Sequence, residues 1–380
     1  MPYQSIDQLQ KALATNVFHY AKDAKKASGR SLGTMVEIIT FYLLKSWGVE
    51  NSIAIERALP EYGNSDIAHN VEYSLQPIIR EHQIVLPYQT PVTAAKILSG
   101  IDDEHFALNG FEKSGMTLLT TNLVLRNSCV IAKGPESHLM ASLISVSESH
   151  IVIDILEQHS KPYAMFECKR VGIEETSGKG PQTIEKAKQG AYVAGAVSSL
   201  RKIRLPSGEL RGIIYKSDTD FLSKPYPELL AEIVSSDSPE LLRDFILTVG
   251  VVSNHGNWFT SDNHNKELKV LAQSYDWLLF LTDEGLAEFI TGLLLSPDKS
   301  LIPVRDAFLA SYTADKKKNQ FTKVQMGYTA DQALQGYFRD NSDRVASWFN
   351  VIAPSRGTIR GLRSQISKLR DKNWGAIHSL

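Results

Sequence analysis

The chain has 380 residues, 43% hydrophobic and 22% charged, enough apolar length for a substantial core, which excludes a disordered or collagen-like protein. Its formal charge of −1 gives no global positive field, so any contact with a polyanion must come from a local patch. Two cysteines, Cys129 and Cys168, cannot alone build a structural zinc site or an iron–sulfur cluster. No apolar run is long enough for a membrane span, and the amino-terminal stretch lacks a basic segment followed by an apolar one. A soluble cytoplasmic protein with buried, reduced thiols is expected, with no membrane partner.

Ile6 to Ala27 carries helical spacing behind Ser5 as N-cap. Gly33 to Glu50 (GTMVEIITFYLLKSWGVE) is a second helix, apolar almost throughout, with Gly48 as its stop and Glu37 as a candidate buried acid. Residues 51–115 mix helical and turn signals without a motif, and Leu118–Ile131 and Leu139–Val146 read as strands. From His150 to Gly172 the sequence HIVIDILEQHSKPYAMFECKRVG has two apolar runs around a polar turn, the pattern of a β-hairpin. Folding back about Ser160–Lys161 sets Asp154 across from Glu167. Alternation then puts Glu167 and Lys169 on one face, with Phe166 and Cys168 on the other.

Thr183–Leu200 follows as a helix and Leu210–Tyr215 as a strand. Beyond about Ser217 the chain reads as mainly helical, including the runs PELLRDFILTVGVV and SYDWLLFLTDEGL. In the basic segment SRGTIRGLRSQISKLRDKNW, helical spacing gathers Arg356, Arg360, Arg363 and Arg370 on one face. Ile359, Leu362, Ile366 and Leu369 form the apolar stripe.

Charges inside apolar strands need partners, because an unpaired charge in low dielectric costs several kcal/mol, roughly. Two carboxylates close together repel unless a cation lies between them, and hard oxygen donors suit Mg²⁺. The acid-x-Lys pattern also occurs at Asp23/Lys25, Glu267/Lys269 and Asp315/Lys317, but there in polar or helical surroundings. Only Glu167-Cys168-Lys169 lies on an apolar strand with an acid expected opposite.

With Glu37 on an upstream helix and a helix–strand pair downstream, this set resembles the PD-(D/E)XK nuclease superfamily, over roughly residues 30 to 216. The resemblance implies an α/β fold with a restriction-endonuclease-like core, a mixed central sheet flanked by helices, and a largely helical C-terminal region. It implies a catalytic domain over 1–220 with an insertion around 51–115. A mainly helical region over 221–380 would serve DNA recognition or dimerisation. It matches Asp154 to the first acid, Glu167 and Lys169 to the (D/E)XK element, and Glu37 to the helix acid. Asp154, Glu167 and Glu37 would then bind Mg²⁺, and Lys169 would orient the attacking water and help deprotonate it.

Within that superfamily, the length and the appended region without helicase motifs resemble type II restriction endonucleases. These cut both strands of a short site as Mg²⁺-dependent homodimers in the prokaryotic cytoplasm. Lys188 and Gln189 on the helix after the hairpin, together with Arg360 and Arg363, are candidate DNA contacts. The polar stretches Asn254–Lys266 and Asp315–Lys323 are candidate base readers. Gly172 stands one residue too far from Gly178-Lys179 for a phosphate loop, so no nucleotide cofactor is expected. His255 and His264 lack metal-ligand spacing. Two other readings stay open. Gln189 and Tyr192 approximate a motif of RecB-like exonucleases and repair nucleases, one residue short in spacing, and a non-catalytic DNA-binding module could keep the same fold.

Overall fold

A computed structural model describes residues 6–57, 70–101, 106, 108–172, 189–215, 219–255, 266–296, 298–312 and 320–378. Among these residues the architecture is mixed α/β with four sheets, and no helix is long and apolar enough to cross a membrane. The largest sheet runs in the order β1 (Ile53–Arg57), β2 (Val71–Leu75), β11 (Ala164–Gly172), β15 (Leu247–His255), β16 (Trp277–Leu281) and β18 (Phe349–Ala353). The pairs β1–β2 and β2–β11 are antiparallel, β11, β15 and β16 are parallel, and β18 returns antiparallel.

Both faces of the parallel seam are buried. Phe166, Cys168, Val249, Val251, Leu279 and Leu281 enter the main core with Ile38, Ile39 and Phe41 of the long helix Ala24–Ser46. On the opposite face Met165 and Ile246 pack with Val193 of the helix Gln189–Val197, while Val252, Leu278 and Phe280 pack with Leu268 and Leu271 of the helix Lys266–Ser274. Strands covered on both faces need apolar residues at successive positions. FILTVGVV and DWLLFL, expected to be helical, are therefore strands: an apolar run without period 2 is not distinguished from a buried helix by pattern.

The expected first helix ends at Asn16, and the second begins at Ala24, where the Asp23 carboxylate accepts from the Lys26 N–H at 2.9 Å. Gly48, at φ 76°, takes the chain out of that helix in a conformation that favours glycine. Phe41 stacks on Tyr73 of β2 with centroids 5.9 Å apart, fixing the helix against the sheet.

A five-stranded antiparallel sheet is inserted between β2 and β11, in the order β3 (Ile78–Pro87), β10 (His150–His159), β9 (Ser137–Val146), β8 (Cys129–Lys133) and β5 (Glu112–Lys113). It carries its own core, including Ile131, Leu139, Ile151, Ile153 and Ile155. β4 (Val92–Thr93), β6 (Thr117–Leu119) and β7 (Val124–Arg126) form a smaller sheet with β17 (Gln325–Gly327), which arrives from much later in the chain to pair with β7. A meander of β12 (Leu200–Arg204), β13 (Leu210–Tyr215) and β14 (Phe221–Pro225) follows the helix Gln189–Val197, and β13 has the bounds expected of it.

The expected hairpin does not form. β10 lies between β3 and β9, and β11 between β2 and β15, so each strand has both edges taken by other partners. The chain crosses between sheets at Tyr163, whose N–H donates to Leu75 O at 2.9 Å and whose carbonyl accepts from the Leu247 N–H at 3.0 Å. The expected boundary at 220 is corrected as well, because β15, β16 and β18 complete the sheet that holds β1, β2 and β11. The insertion is not 51–115, since β1 and β2 belong to the central sheet and the inserted sheet spans Ile78–His159. The C-terminal helix Ile359–Arg370 buries Ile359, Leu362, Ile366 and Leu369 as expected, with Thr358 as N-cap accepting from Gly361 N–H at 3.0 Å.

His138 on β9 supplies a pH signature. Its ring is buried, Nε2 donates to Gln158 Oε1 at 2.8 Å, and burial pushes its pKa down to about 3. Between the unfolded value near 6.5 and that folded value the unfolded chain binds the extra proton, so stability falls as pH falls across this window. The loss is at most about 1.4 kcal/mol per pH unit for one group. His138→Gln should flatten the dependence of unfolding free energy on pH between about 6 and 4 by one proton. An unchanged slope would mean that the native protein protonates His138 freely.

Candidate active site

Extending the β2–β11 register from Tyr73↔Phe166 sets Glu72 directly opposite Glu167. The Glu72 N–H donates to Glu167 Oε2 at 3.3 Å. Lys169 stands two residues along on the same face, with Nζ 2.7 Å from Glu167 Oε1 and 3.8 Å from Glu72 Oε2. The carboxylate side chains are 6% and 3% exposed, whereas Lys169 is 29% exposed and is the solvent-facing member. Beside Glu167 in the ladder, a Cβ on Gly250 would meet the Tyr275 ring at 2.7 Å, so that position keeps a bare backbone.

A second lysine enters from far along the chain. Lys323 precedes β17 and is buried, and its ammonium pairs with Glu72 Oε1, with Glu56 Oε1 at 2.8 Å and with Glu37 Oε2 at 3.3 Å. Asn127 fixes the loop that carries it: its N–H donates to Val324 O at 2.9 Å and its Nδ2 to Lys323 O at 3.0 Å. Glu37 comes from the helix Ala24–Ser46, tied to β2 by the Tyr73 hydroxyl, which donates to Glu37 O at 2.8 Å. Glu56 holds φ at 47°, a left-handed conformation costing a non-glycine residue on the order of 1 kcal/mol.

The cluster thus sets four carboxylates against two ammonium groups. Burial alone would lower the Lys169 pKa, but the charge and hydrogen bond of Glu167 outweigh it and hold Lys169 above its usual value. Cys168, between them in sequence, faces the opposite core, and burial raises its thiol pKa far enough to keep it an inert packing group.

Of the acids and the lysine expected to act together, Glu167, Lys169 and Glu37 are brought into one cluster. Asp154 is not. It lies on β10 in the inserted sheet, buried, accepting from Gln83 Nε2 at 2.8 Å, and it lines a separate cavity of about 280 Å³ with Lys45 and Asp331. Glu72 takes the place opposite Glu167 that was expected for Asp154. Glu56 and Glu72 were missed in a stretch read as lacking a motif, although Val71-Glu72-Tyr73-Ser74-Leu75 carries an acid inside a short β-prone run. Lys323 ends a stretch expected to read bases, and the structure puts it among the acids instead.

Lys188 lies outside the described residues, as do 256–265 (including His264) and 315–319 of the two expected base-reading stretches. Gln189 opens the helix Gln189–Val197, on which Tyr192 is exposed. Arg360 and Arg363 are on the solvent face of the C-terminal helix, where Arg360 pairs with Asp343 at 3.2 Å. That helix packs against β18, three strands from β11 and so about 14 Å across the sheet.

Among the described residues no group of three His, Cys, Asp or Glu is arranged to hold a metal ion. The point where Glu37, Glu56 and Glu72 converge is taken by the Lys323 ammonium. In kind, however, the donors are those of a hard cation, all carboxylate oxygens, and they already hold one positive charge. A cleft of about 680 Å³ adjoins the cluster, lined by Glu56 together with Arg57, Arg126 and Lys133. Compared with models of protein families, characterised proteins and solved structures, the chain matches none.

Proposed function

We propose that the protein is a Mg²⁺-dependent deoxyribonuclease of the PD-(D/E)XK kind, cutting double-stranded DNA at a specific site as a type II restriction endonuclease does. The observation that carries this is Glu72 opposite Glu167 on adjoining antiparallel strands, with Lys169 two residues on. Its support in the fold is the succession of a helix bearing an acid, β1, β2, β11, the helix Gln189–Val197 and the parallel strand β15. The order agrees with the core that the sequence resemblance implies, but with Glu72 in the role expected of Asp154.

Glu72 and Glu167, with Glu37 completing the set, would hold the Mg²⁺ ion, which supplies acidification of a bound water and neutralises charge on the phosphate. Lys169, charged and partly exposed, keeps Glu167 oriented through its hydrogen bond and presents its ammonium to a phosphate oxygen or the attacking water. Arg57, Arg126 and Lys133 give the adjoining cleft the sign of charge that a phosphodiester backbone requires. A two-fold symmetric DNA site would be matched by a homodimer, one centre per strand.

Incubation with covalently closed plasmid in Mg²⁺, followed by mapping of the ends, tests this reading. Discrete fragments support it, and failure to cut either closed or linear DNA would overturn it. Degradation of linear DNA alone would favour the exonuclease reading, for which exposed Tyr192 on the helix after β11 is the supporting feature. Lys169→Ala should slow single-turnover cleavage by about 10²-fold or more with little change in DNA affinity. Lys169→Arg should not restore the rate, because the planar guanidinium is larger than an ammonium and cannot place a compact charge at the same point between Glu167 and the phosphate. A Lys169→Ala protein that binds weakly but cuts at the normal rate would reassign the residue to DNA anchoring.

A further inference from the structure

The most deeply buried cation of the cluster is Lys323, 6% exposed, touching carboxylates from three separate elements. An ammonium removed from water is stable only where opposite charge and hydrogen-bond acceptors replace its hydration. Here the replacing groups include Glu37 and Glu72, two of the side chains that the nuclease reading assigns to Mg²⁺. An ammonium and a Mg²⁺ ion make the same demand, carboxylate oxygen at short range. They cannot share one oxygen set, because Mg²⁺ requires oxygens at about 2.1 Å and the two cations would repel at that spacing.

We propose that Lys323 is a built-in counter-cation of the acidic cluster. It holds Glu37, Glu56 and Glu72 together in the metal-free protein, and a divalent cation must displace it from Glu72 in order to bind. The inference rests on the Mg²⁺-nuclease reading and adds to it an internal competitor for the metal.

Two features of the surroundings suit exchange better than permanent neutralisation. The backbone at Lys323 is fixed by both hydrogen bonds from Asn127 and by the pairing of β17 with β7, so the head group can move on its four-carbon stem while the loop stays in place. Its partners are also graded in exposure, from Glu72 at 6% through Glu37 at 31% to Glu56 at 54%. An ammonium leaving Glu72 therefore keeps a partner by shifting toward Glu56. Glu56 lines the cleft with Arg57, Arg126 and Lys133, so the displaced charge would add to the face offered to a phosphate backbone.

The test is Mn²⁺ binding to the full chain without DNA, followed by titration calorimetry and by melting temperature, for wild type, Lys323→Met and Lys323→Arg. Lys323→Met should bind Mn²⁺ about tenfold tighter than wild type or better, since the metal no longer displaces a cation. It should melt below wild type without metal and recover most of the difference in Mn²⁺, whereas Lys323→Arg, which keeps the charge, should bind no tighter than wild type. Adding Glu72→Gln to Lys323→Met should erase the gain.

Equal or weaker Mn²⁺ binding by Lys323→Met would overturn the competition while leaving a metal centre in place. Binding by none of the proteins would overturn both the inference and the metal reading on which it rests. If Lys323→Met fails to fold without metal, folding rescued by Mn²⁺ supports the exchange. Failure to fold in saturating Mn²⁺ overturns it.

Discussion

Glu72→Gln and Glu167→Gln should each lower Mg²⁺-dependent DNA cleavage by about 10³-fold or more, while Asp154→Asn should leave it within a few-fold of wild type. The contrast follows from placement. Glu72 and Glu167 face each other across β2 and β11 beside Lys169, and each substitution removes one negative oxygen from that set. Asp154 belongs to a different sheet, and asparagine keeps an oxygen that can accept from Gln83 Nε2. DNA affinity should survive in all three variants, because positioning contacts to the backbone are made by other groups. Single-turnover cleavage of a labelled duplex, with binding measured separately, is the assay. An inactive Asp154→Asn beside an active Glu72→Gln would return the metal site to β10 and remove the basis of the proposed centre.

Asp331→Ala should destabilise the protein by about 3–5 kcal/mol, the range for breaking a buried charge pair from one side. Asp331 lies on the helix Tyr328–Asp340, 1% exposed. It accepts from the Tyr42 hydroxyl at 2.7 Å, Lys45 Nζ at 3.0 Å and Gln335 Nε2 at 2.5 Å. Burial first, and then the Asp331 charge and hydrogen bond, raise the Tyr42 pKa well above its usual value, so the hydroxyl stays a donor. Truncation leaves the Lys45 ammonium and the buried Tyr42 hydroxyl without their shared acceptor. Tyr42 and Lys45 are on the helix that carries Glu37, so the network also anchors one wall of the acidic cluster. Denaturant unfolding with an unchanged m-value would register the loss, and Lys45→Met in the same chain should recover part of it. A loss below about 1 kcal/mol would indicate that water reaches the pair.

What could be read from the sequence, and what could not, divides along the range of the interactions. Glu167 and Lys169 were visible because two charges in an apolar strand must have partners, whatever supplies them. Glu37 was visible as the lone acid of an apolar helix. The C-terminal helix was legible because its apolar stripe has a clear period, and the same four residues are buried. The identity of the strand beside β11 was not legible. β10 follows the right pattern and adjoins β11 in sequence, yet β2 and β15 take the edges of β11, a choice made by packing between segments far apart. Glu72 sits in a strand of five residues whose alternation marks a strand but carries no sign of which strand it pairs with. β15 and β16 lost their signature because both of their faces are covered, so nothing in the pattern separates them from helices.

The isolation of β11 from its partners along the chain also bears on how the protein is made. β2 precedes the whole inserted sheet and β15 follows the β12–β14 meander, so contacts around Glu167 have high sequence separation and the central sheet should form slowly. During synthesis β11 leaves the ribosome while Leu247–His255 is still unmade. An apolar strand with a row of open backbone donors and acceptors is a template for pairing with another nascent chain. Slower growth at low temperature, or a chaperone that shields this edge, should therefore raise the yield of folded protein, and substitutions that delay β15 should lower it before they lower the stability of what does fold.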